Sequence, residues 1–143
     1  VESLKDAIPI FEKLLGSGPA ATESVGEQGV RVAVFKAGEA RIELLEAEGE
    51  DSPVRRFIAR RGPGIHHLTL TVPSLEKALR DCEAAGIQPI DRAPRRGAGG
   101  ERIAFLNPKS TSGALIELIE EAGNQPRGKA QQGASKSRRT RAE

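Results

Sequence analysis

An internal repeat at an interval of about 71 positions is the feature that most limits what this chain can fold into. The matching segments are 1–7 with 72–78, 31–33 with 102–104, and 42–46 with 116–120. The first two pairs are offset by 71 positions and the third by 74. Because three matches occur in the same order at nearly one offset, they indicate two copies of one module rather than a solenoid of many short repeats.

Each copy begins with an amphipathic helix, because apolar side chains recur at helical spacing over 3–15 and 74–85. The residues predicted to bound these helices are Ser3 and Ser74 at the N-caps and Gly16 and Gly86 at the C-terminal ends. Strands are predicted at 30–36, 40–46, 67–72, 102–107 and 114–120. The strand at 67–72 precedes the second helix, and the strands at 102–107 and 114–120 follow it.

The repeat therefore predicts an α+β fold built from two tandem modules of strands and one helix each. The predicted divisions are a first module at 1–47, a linker helix at 48–63, a second module at 64–122 and a disordered basic tail at 123–143. By comparison with the second module, the first should have a leading strand ahead of Val1. The partner of His67 on that strand would stand five residues upstream of Val1.

Composition excludes several classes of protein. No apolar run is long enough to cross a membrane, and Cys82 has no second cysteine with which to form an internal disulfide. Of 22 basic residues, six lie in 127–143, which leaves 16 basic and 19 acidic residues and a net charge of −3 over 1–126. A mildly acidic body with few aromatic residues argues against nucleic-acid binding. The lack of disulfides agrees with a cytoplasmic protein, or a mitochondrial matrix protein in a eukaryote.

Glu43 and Glu117 occupy equivalent repeat positions on predicted strands. If the modules pack as pseudo-symmetric halves, these carboxylates converge with His67 and its upstream counterpart. Imidazole and carboxylate ligands together suit a divalent ion such as Co, Mn, Fe, Ni or Zn. The alternatives are a hydrogen-bonded structural histidine and glutamates paired with Arg41 or Arg102. His66 is expected on the opposite face of the strand, in a structural role.

Several strings together resemble the methylmalonyl-CoA epimerase family of the vicinal oxygen chelate superfamily, which also includes glyoxalase I and the extradiol dioxygenases. The strings are EQGV at 27–30, IELLE at 42–46 with the linker GEDSP at 49–53 and Phe57-Ile58, GPGIHHL at 62–68, GERIAFLNPK at 100–109 and GALIEL at 113–118. The resemblance covers about residues 1–121 and implies two tandem βαβββ modules that form a curved mixed sheet around a metal site.

The resemblance implies the site residues residue by residue. It makes His67 and Glu117 metal ligands and places Glu43 near the metal, with Glu117 and Glu43 as the candidate catalytic carboxylates. The implied metal is Co²⁺ first, with Mn²⁺, Ni²⁺ or Zn²⁺ as alternatives. The implied substrate is a small-molecule acyl-CoA, and the implied assembly is a homodimer. Val32 stands where some epimerases carry an acidic residue, so the resemblance does not supply a second base at that position.

Three functions remain open at this point. The first is metal-dependent epimerisation of (2R)- and (2S)-methylmalonyl-CoA through a metal-stabilised enolate. The second is another reaction of the same superfamily, such as a glyoxalase-like lyase or an extradiol dioxygenase. The third is a non-catalytic ligand-binding or resistance module. A scaffold that supports many reactions does not by itself choose among them.

Overall fold

The computed structural model of the protein describes residues 1–97 and 100–121. Three helices and seven strands follow one another in the order α1 Leu4–Leu15, β1 Ala21–Val25, β2 Val30–Ala37, β3 Ala40–Ala47, α2 Pro53–Arg61, β4 Leu68–Val72, α3 Leu75–Ala84, β5 Arg95–Arg96, β6 Arg102–Leu106 and β7 Ile116–Glu120. The α+β class predicted from the sequence is confirmed. The predicted basic tail at 123–143 lies outside the described residues.

The strands form two sheets, one from each copy of the repeat. The first sheet has the order β1-β2-β3 and is antiparallel throughout. The second has the order β4-β7-β6-β5, in which β4 and β7 run parallel and the other pairs antiparallel. The second sheet is thus the mixed one. The leading strand expected ahead of Val1 would precede the chain and stays a prediction.

Both N-terminal helix caps predicted from the sequence are confirmed. The Ser3 hydroxyl accepts from the Asp6 amide at 3.3 Å, and the Ser74 hydroxyl accepts from the Lys77 amide at 3.4 Å. Gly16 ends α1 in the left-handed conformation that a residue without Cβ adopts at little cost. The cap of α3 is Ala85 rather than Gly86, and Gly86 takes the positive φ one residue later.

Each helix packs against its own sheet through equivalent core residues. Leu4 and Ala7 of α1 contact the first sheet in a cluster completed by Ala33, Phe35 and Leu44. Leu75 and Leu79 of α3 contact the second sheet in a cluster completed by Ala104, Leu106 and Leu118. Each of these clusters covers one face of a sheet, and the site lies on the opposite faces. On that face of the first sheet, Val54 of α2 packs against Val30 and Val32. None of the helices within the described residues has both the length and the apolar character needed to cross a bilayer.

Cys82 lies partly buried against the second of these clusters, as its place on the apolar stripe of α3 predicts. Burial raises the pKa of its thiol, and the charge of Asp81 adds to the effect. A thiol held in its neutral form is a poor nucleophile. Cys82 therefore contributes to the packing of α3 and is not a candidate nucleophile.

Candidate active site

A cavity of about 850 Å³ lies between the two sheets and contains the site residues predicted from both repeats. The first sheet lines it with side chains that alternate along each strand, among them Val32 and Glu43. The second module lines it with His67, Phe105 and Glu117. The three predicted site residues, His67, Glu117 and Glu43, therefore face one common space.

His67 and Glu117 come together because β4 pairs in parallel with β7. The register places Thr69 beside Glu117, and the Thr69 hydroxyl donates to Oε2 of Glu117 at 2.8 Å. His67 directly precedes β4, and its Nε2 lies 3.6 Å from the same Oε2. Both side chains are largely buried, at 18% and 17% exposure.

The environment of Glu117 favours the carboxylate form. Burial raises the pKa of this carboxyl, but the interactions with His67 and Thr69 and the charges of His67 and Arg95 lower it by more. The net effect is a pKa below the usual value for glutamate. A carboxylate that is ionised at neutral pH and turned into a cavity is able to accept a proton or to bind a cation.

His66 orients His67 rather than lying away from it. The two Nδ1 atoms are 3.0 Å apart, so one ring donates and the other accepts. The ring of His66 packs edge-on against Phe57, with centroids 5.0 Å apart. Burial lowers the pKa of His66, followed by the charges of His67 and the Val1 ammonium. His66 therefore lines the cavity beside His67 instead of lying on the opposite face in a structural role, because both histidines precede β4 and strand alternation does not separate them.

Glu43 lies on β3 and faces the cavity, and its Oε1 pairs with the guanidinium of Arg41 at 3.2 Å. On the same strand, the Leu45 carbonyl accepts a hydrogen bond from the Val1 ammonium at 2.9 Å. Glu43 therefore lines the cavity from the first sheet, with its charge partly balanced by Arg41.

His67 and Glu117 fit two positions of a divalent-cation site. Ligand atoms about 2.1 Å from an ion lie about 3 Å or a little more from each other, which is close to the 3.6 Å between Nε2 and Oε2. Donation from one Nδ1 to the other fixes the tautomer of the pair, as the outer partners of metal-bound histidines do. Within 1–97 and 100–121, no group of three His, Cys, Asp or Glu side chains is arranged to hold one ion. The fit thus rests on two donors, with Glu43 elsewhere in the cavity.

Three further residues of the cavity were not predicted as site residues. Glu23 stands on β1 directly across from Val32, and no hydrogen bond or ion pair of its side chain occurs within the described residues. The Ser52 hydroxyl is buried and has no hydrogen-bond partner among the residues that the structure describes. Arg95 lies over the Phe105 ring at 5.2 Å, with Nε 3.1 Å from Asp91.

Gly29 of the EQGV string forms part of the cavity wall, at a position where the backbone requires glycine. Its φ is +61°, and a Cβ at this position would lie 2.9 Å from the Glu48 carbonyl oxygen. Only glycine meets both conditions without a shift of the backbone. The turn into β2 therefore packs tightly against the loop that carries Ser52, on the wall of the cavity.

Two helix-covered sheets that enclose a largely buried histidine and glutamate in one cavity define a two-module α+β protein with a small-molecule site. The chain belongs to the Glyoxalase/Bleomycin resistance protein/Dioxygenase superfamily, whose family model matches residues 1–105. The resemblance drawn from the sequence strings is thus confirmed.

Individual relatives narrow the comparison. The chain is 42% identical over 125 residues to an uncharacterised protein of Bacillus subtilis, covering 87% of this chain and 89% of that one. It is 31% identical over 120 residues to a mitochondrial methylmalonyl-CoA epimerase of Dictyostelium discoideum, covering 83% and 72%. The solved structure of a Streptomyces coelicolor methylmalonyl-CoA epimerase variant in complex with 2-nitronate-propionyl-CoA superposes with a TM-score of 0.76 at 32% identity, covering 85% and 89%.

Proposed function

We propose that this protein is a methylmalonyl-CoA epimerase, which interconverts the (2R) and (2S) forms of its substrate. The observation that carries the proposal is the Glu117 carboxylate, oriented by Thr69 and His67 and turned into a cavity between the two modules. The Dictyostelium relative has this activity by name, and the Streptomyces relative was solved with an acyl-CoA ligand. Both support an acyl-CoA substrate for this chain.

Carbon 2 of methylmalonyl-CoA bears a proton made acidic by the adjacent thioester. Glu117 accepts this proton, and the electron pair of the broken C–H bond moves toward the thioester carbonyl to give an enolate. Return of a proton to the opposite face of carbon 2 completes the inversion. The chemistry therefore needs a second acid on the far side of the substrate from Glu117.

The first sheet supplies the carboxylates that face Glu117 from the other module. We assign the opposing role to Glu43, because it lines the same cavity from the first sheet and holds the repeat position equivalent to Glu117. Glu23 is two strands away on β1, which at the usual strand spacing is about 10 Å. Val32, between them on β2, has no ionisable group.

A divalent metal, Co²⁺ first, is part of the proposal, with Mn²⁺, Ni²⁺ and Zn²⁺ as alternatives. His67 and Glu117 would hold the ion, and Glu43 is the further carboxylate of the same cavity. A bound divalent ion acts as a Lewis acid on carbonyl oxygens. In the protein itself, His66 keeps His67 oriented and Thr69 keeps Glu117 oriented. A homodimer stays a prediction from the resemblance, and a cytoplasmic location stays a prediction from the lack of disulfides.

The proposal is tested by incubating one pure epimer of methylmalonyl-CoA with the protein. A coupling enzyme that consumes the other epimer alone then reports how much has been formed. We expect conversion that depends on protein concentration and falls by 100-fold or more in Glu117→Gln, the usual scale for loss of an acid–base group. Conversion no faster than in buffer would reject the function.

A further inference from the structure

A second groove, of about 510 Å³, opens beside the active-site cavity. It runs along α2, past Ile65, and to the loop that joins β6 to β7. The cavity and the groove share four lining residues, Pro53, His66, His67 and Leu115. A ligand whose reactive end lies at His67 therefore has a continuous path from the cavity into the groove.

The two spaces differ sharply in charge. Eight acidic side chains line the cavity, against two arginines, Arg41 and Arg95. The groove is lined by three arginines, Arg56, Arg60 and Arg61, and none of the described residues that line it is acidic. Residues 1–126 carry a net charge of −3, so a groove whose charged residues are all arginines differs in sign from the rest of this region.

The arginines of the groove are arranged to bind an anion. Arg56 and Arg60 are four residues apart on α2, so they lie on one face of the helix. Arg56 donates to the Asp51 carbonyl at 2.6 Å, which fixes its position while leaving other guanidinium hydrogens available. Arg60 and Arg61 are exposed and make no hydrogen bond or ion pair within the described part of the chain.

The groove also offers an apolar surface between the histidines and the arginines. Ile65 is 80% exposed on its wall, and Phe57 of α2 lines it. An exposed large aliphatic side chain next to unpaired arginines suits a ligand that has both an apolar arm and anionic groups.

We propose that this groove binds the nucleotide end of the acyl-CoA, with Arg60 and Arg61 contacting its phosphate groups. The inference rests on the proposed function, because it places the acyl end at His67 and Glu117. A CoA thioester carries several phosphate charges at the end remote from its acyl group, and the acidic cavity repels such charges. The groove attracts them, so the end of the substrate that carries most of its negative charge is favoured in the groove.

The test compares two substrates that differ at the remote end. Methylmalonyl-CoA carries the phosphates, whereas methylmalonyl-pantetheine has the same reacting carbon and thioester without them. We expect the double variant Arg60→Gln/Arg61→Gln to raise KM for the CoA ester by roughly tenfold or more. Its KM for the pantetheine ester and its kcat for both substrates should stay within twofold of the unsubstituted protein.

Arg55→Gln is the matched control, because Arg55 is on the same helix, donates to the Gly49 carbonyl, and does not line the groove. It should leave both KM values unchanged. Thermal melting of each variant checks that the fold is retained. An equal rise in KM for the two substrates, or no rise for either, overturns the inference while the epimerase function stands.

Direct binding separates the inference from the proposed function. Calorimetric titration with free CoA, which has no epimerisable carbon, should show binding to the unsubstituted protein and weaker binding, by roughly tenfold, to the double variant. This result supports the groove even if the protein fails to epimerise methylmalonyl-CoA. Absence of CoA binding to the unsubstituted protein, or equal binding to both, overturns it.

Discussion

Glu120 links the last strand to the start of α3, because its Oε1 accepts from the Leu75 amide at 3.2 Å. Its other oxygen accepts from Arg102 at 2.7 Å. The first module repeats this arrangement, with Glu46 accepting from the Leu4 amide and pairing with Arg31 at 3.6 Å. In both modules a carboxylate near the end of a closing strand satisfies a free amide at a helix N-terminus. The sequence repeat therefore corresponds to a structural contact that occurs once in each module.

The Glu120 contact should contribute to stability because the side chain is only 2% exposed. Glu120→Gln leaves Arg102 without one of its charged partners and weakens the bond to Leu75. We expect the free energy of unfolding, measured by urea titration, to fall by about 2 kcal/mol. Glu121→Gln, one residue further along and exposed, is the control and should change it by less than about 0.5 kcal/mol. Equal effects of the two substitutions would contradict this account.

Stability should fall with acid partly through Glu76. The hydrogen bond from Arg102 lowers the pKa of Glu76 in the folded protein. A group whose pKa is lower when folded stabilises the protein above its unfolded pKa, about 4.3 for glutamate. That contribution is lost as the pH falls from about 4.3 through the folded pKa.

The measurement is the urea midpoint between pH 6 and pH 3. Glu76→Gln should lower the midpoint at pH 6 and flatten its decline below about pH 4.3. Glu83→Gln, an exposed glutamate of the same helix, should keep the decline seen in the unsubstituted protein. The idea fails if Glu76→Gln and the unsubstituted protein lose stability in parallel.

Substitution of Glu43 and of Glu23 should show which of the two carboxylates is the second acid. If Glu43 serves the face of carbon 2 opposite Glu117, Glu43→Gln should slow epimerisation by about 100-fold. The variant should still exchange the carbon 2 proton of one epimer with solvent. Glu23→Gln should stay within about threefold, since β1 is the strand furthest from β3 in its sheet. The reverse order of the two effects, read from rates of epimer conversion and of proton exchange, would assign the role to Glu23.

Metal binding is predicted to depend on His67 and Glu117. Titration of the protein with Co²⁺, followed by calorimetry, should show binding that His67→Ala and Glu117→Gln each weaken at least tenfold. His66→Ala should have a smaller effect, because His66 contacts His67 and not the predicted ion. Glu39→Gln, in the β2–β3 turn and outside the cavity, is the control. Co²⁺ affinity that is the same in His67→Ala and the unsubstituted protein would remove this residue from the site.

The repeat and its apolar periodicity were enough to predict the helices, their N-caps and five strands. They were not enough for β1, where four of five residues are exposed and no alternation of apolar and polar residues marks a strand. That segment is a strand because β2 offers it five consecutive pairing partners. β5 is two arginines long and has no signal of its own. The local pattern of apolar and polar residues does not predict a strand that forms only because a neighbouring strand pairs with it.

The site was predictable as a set of residues but not as a set of contacts. Repeat equivalence identified Glu43 and Glu117, and the paired histidines identified His67. The parallel register of β4 and β7 brings Thr69 beside Glu117. The register between two strands that are far apart in sequence cannot be predicted from either strand alone. The pairing of Glu43 with Arg41, one of the alternatives considered from the sequence, is what the structure contains. The unpartnered hydroxyl of Ser52 could not be predicted either, because whether a buried hydroxyl finds a partner depends on the packing around it.

The central claim is that Glu117 moves the carbon 2 proton of methylmalonyl-CoA. The most direct measurement follows the carbon 2 proton signal by NMR in D₂O, with the protein supplied with Co²⁺. We predict that the signal disappears at a rate proportional to protein concentration, and that Glu117→Gln slows this loss by at least 100-fold. No protein-dependent exchange, or exchange that is unchanged in Glu117→Gln, would contradict the account.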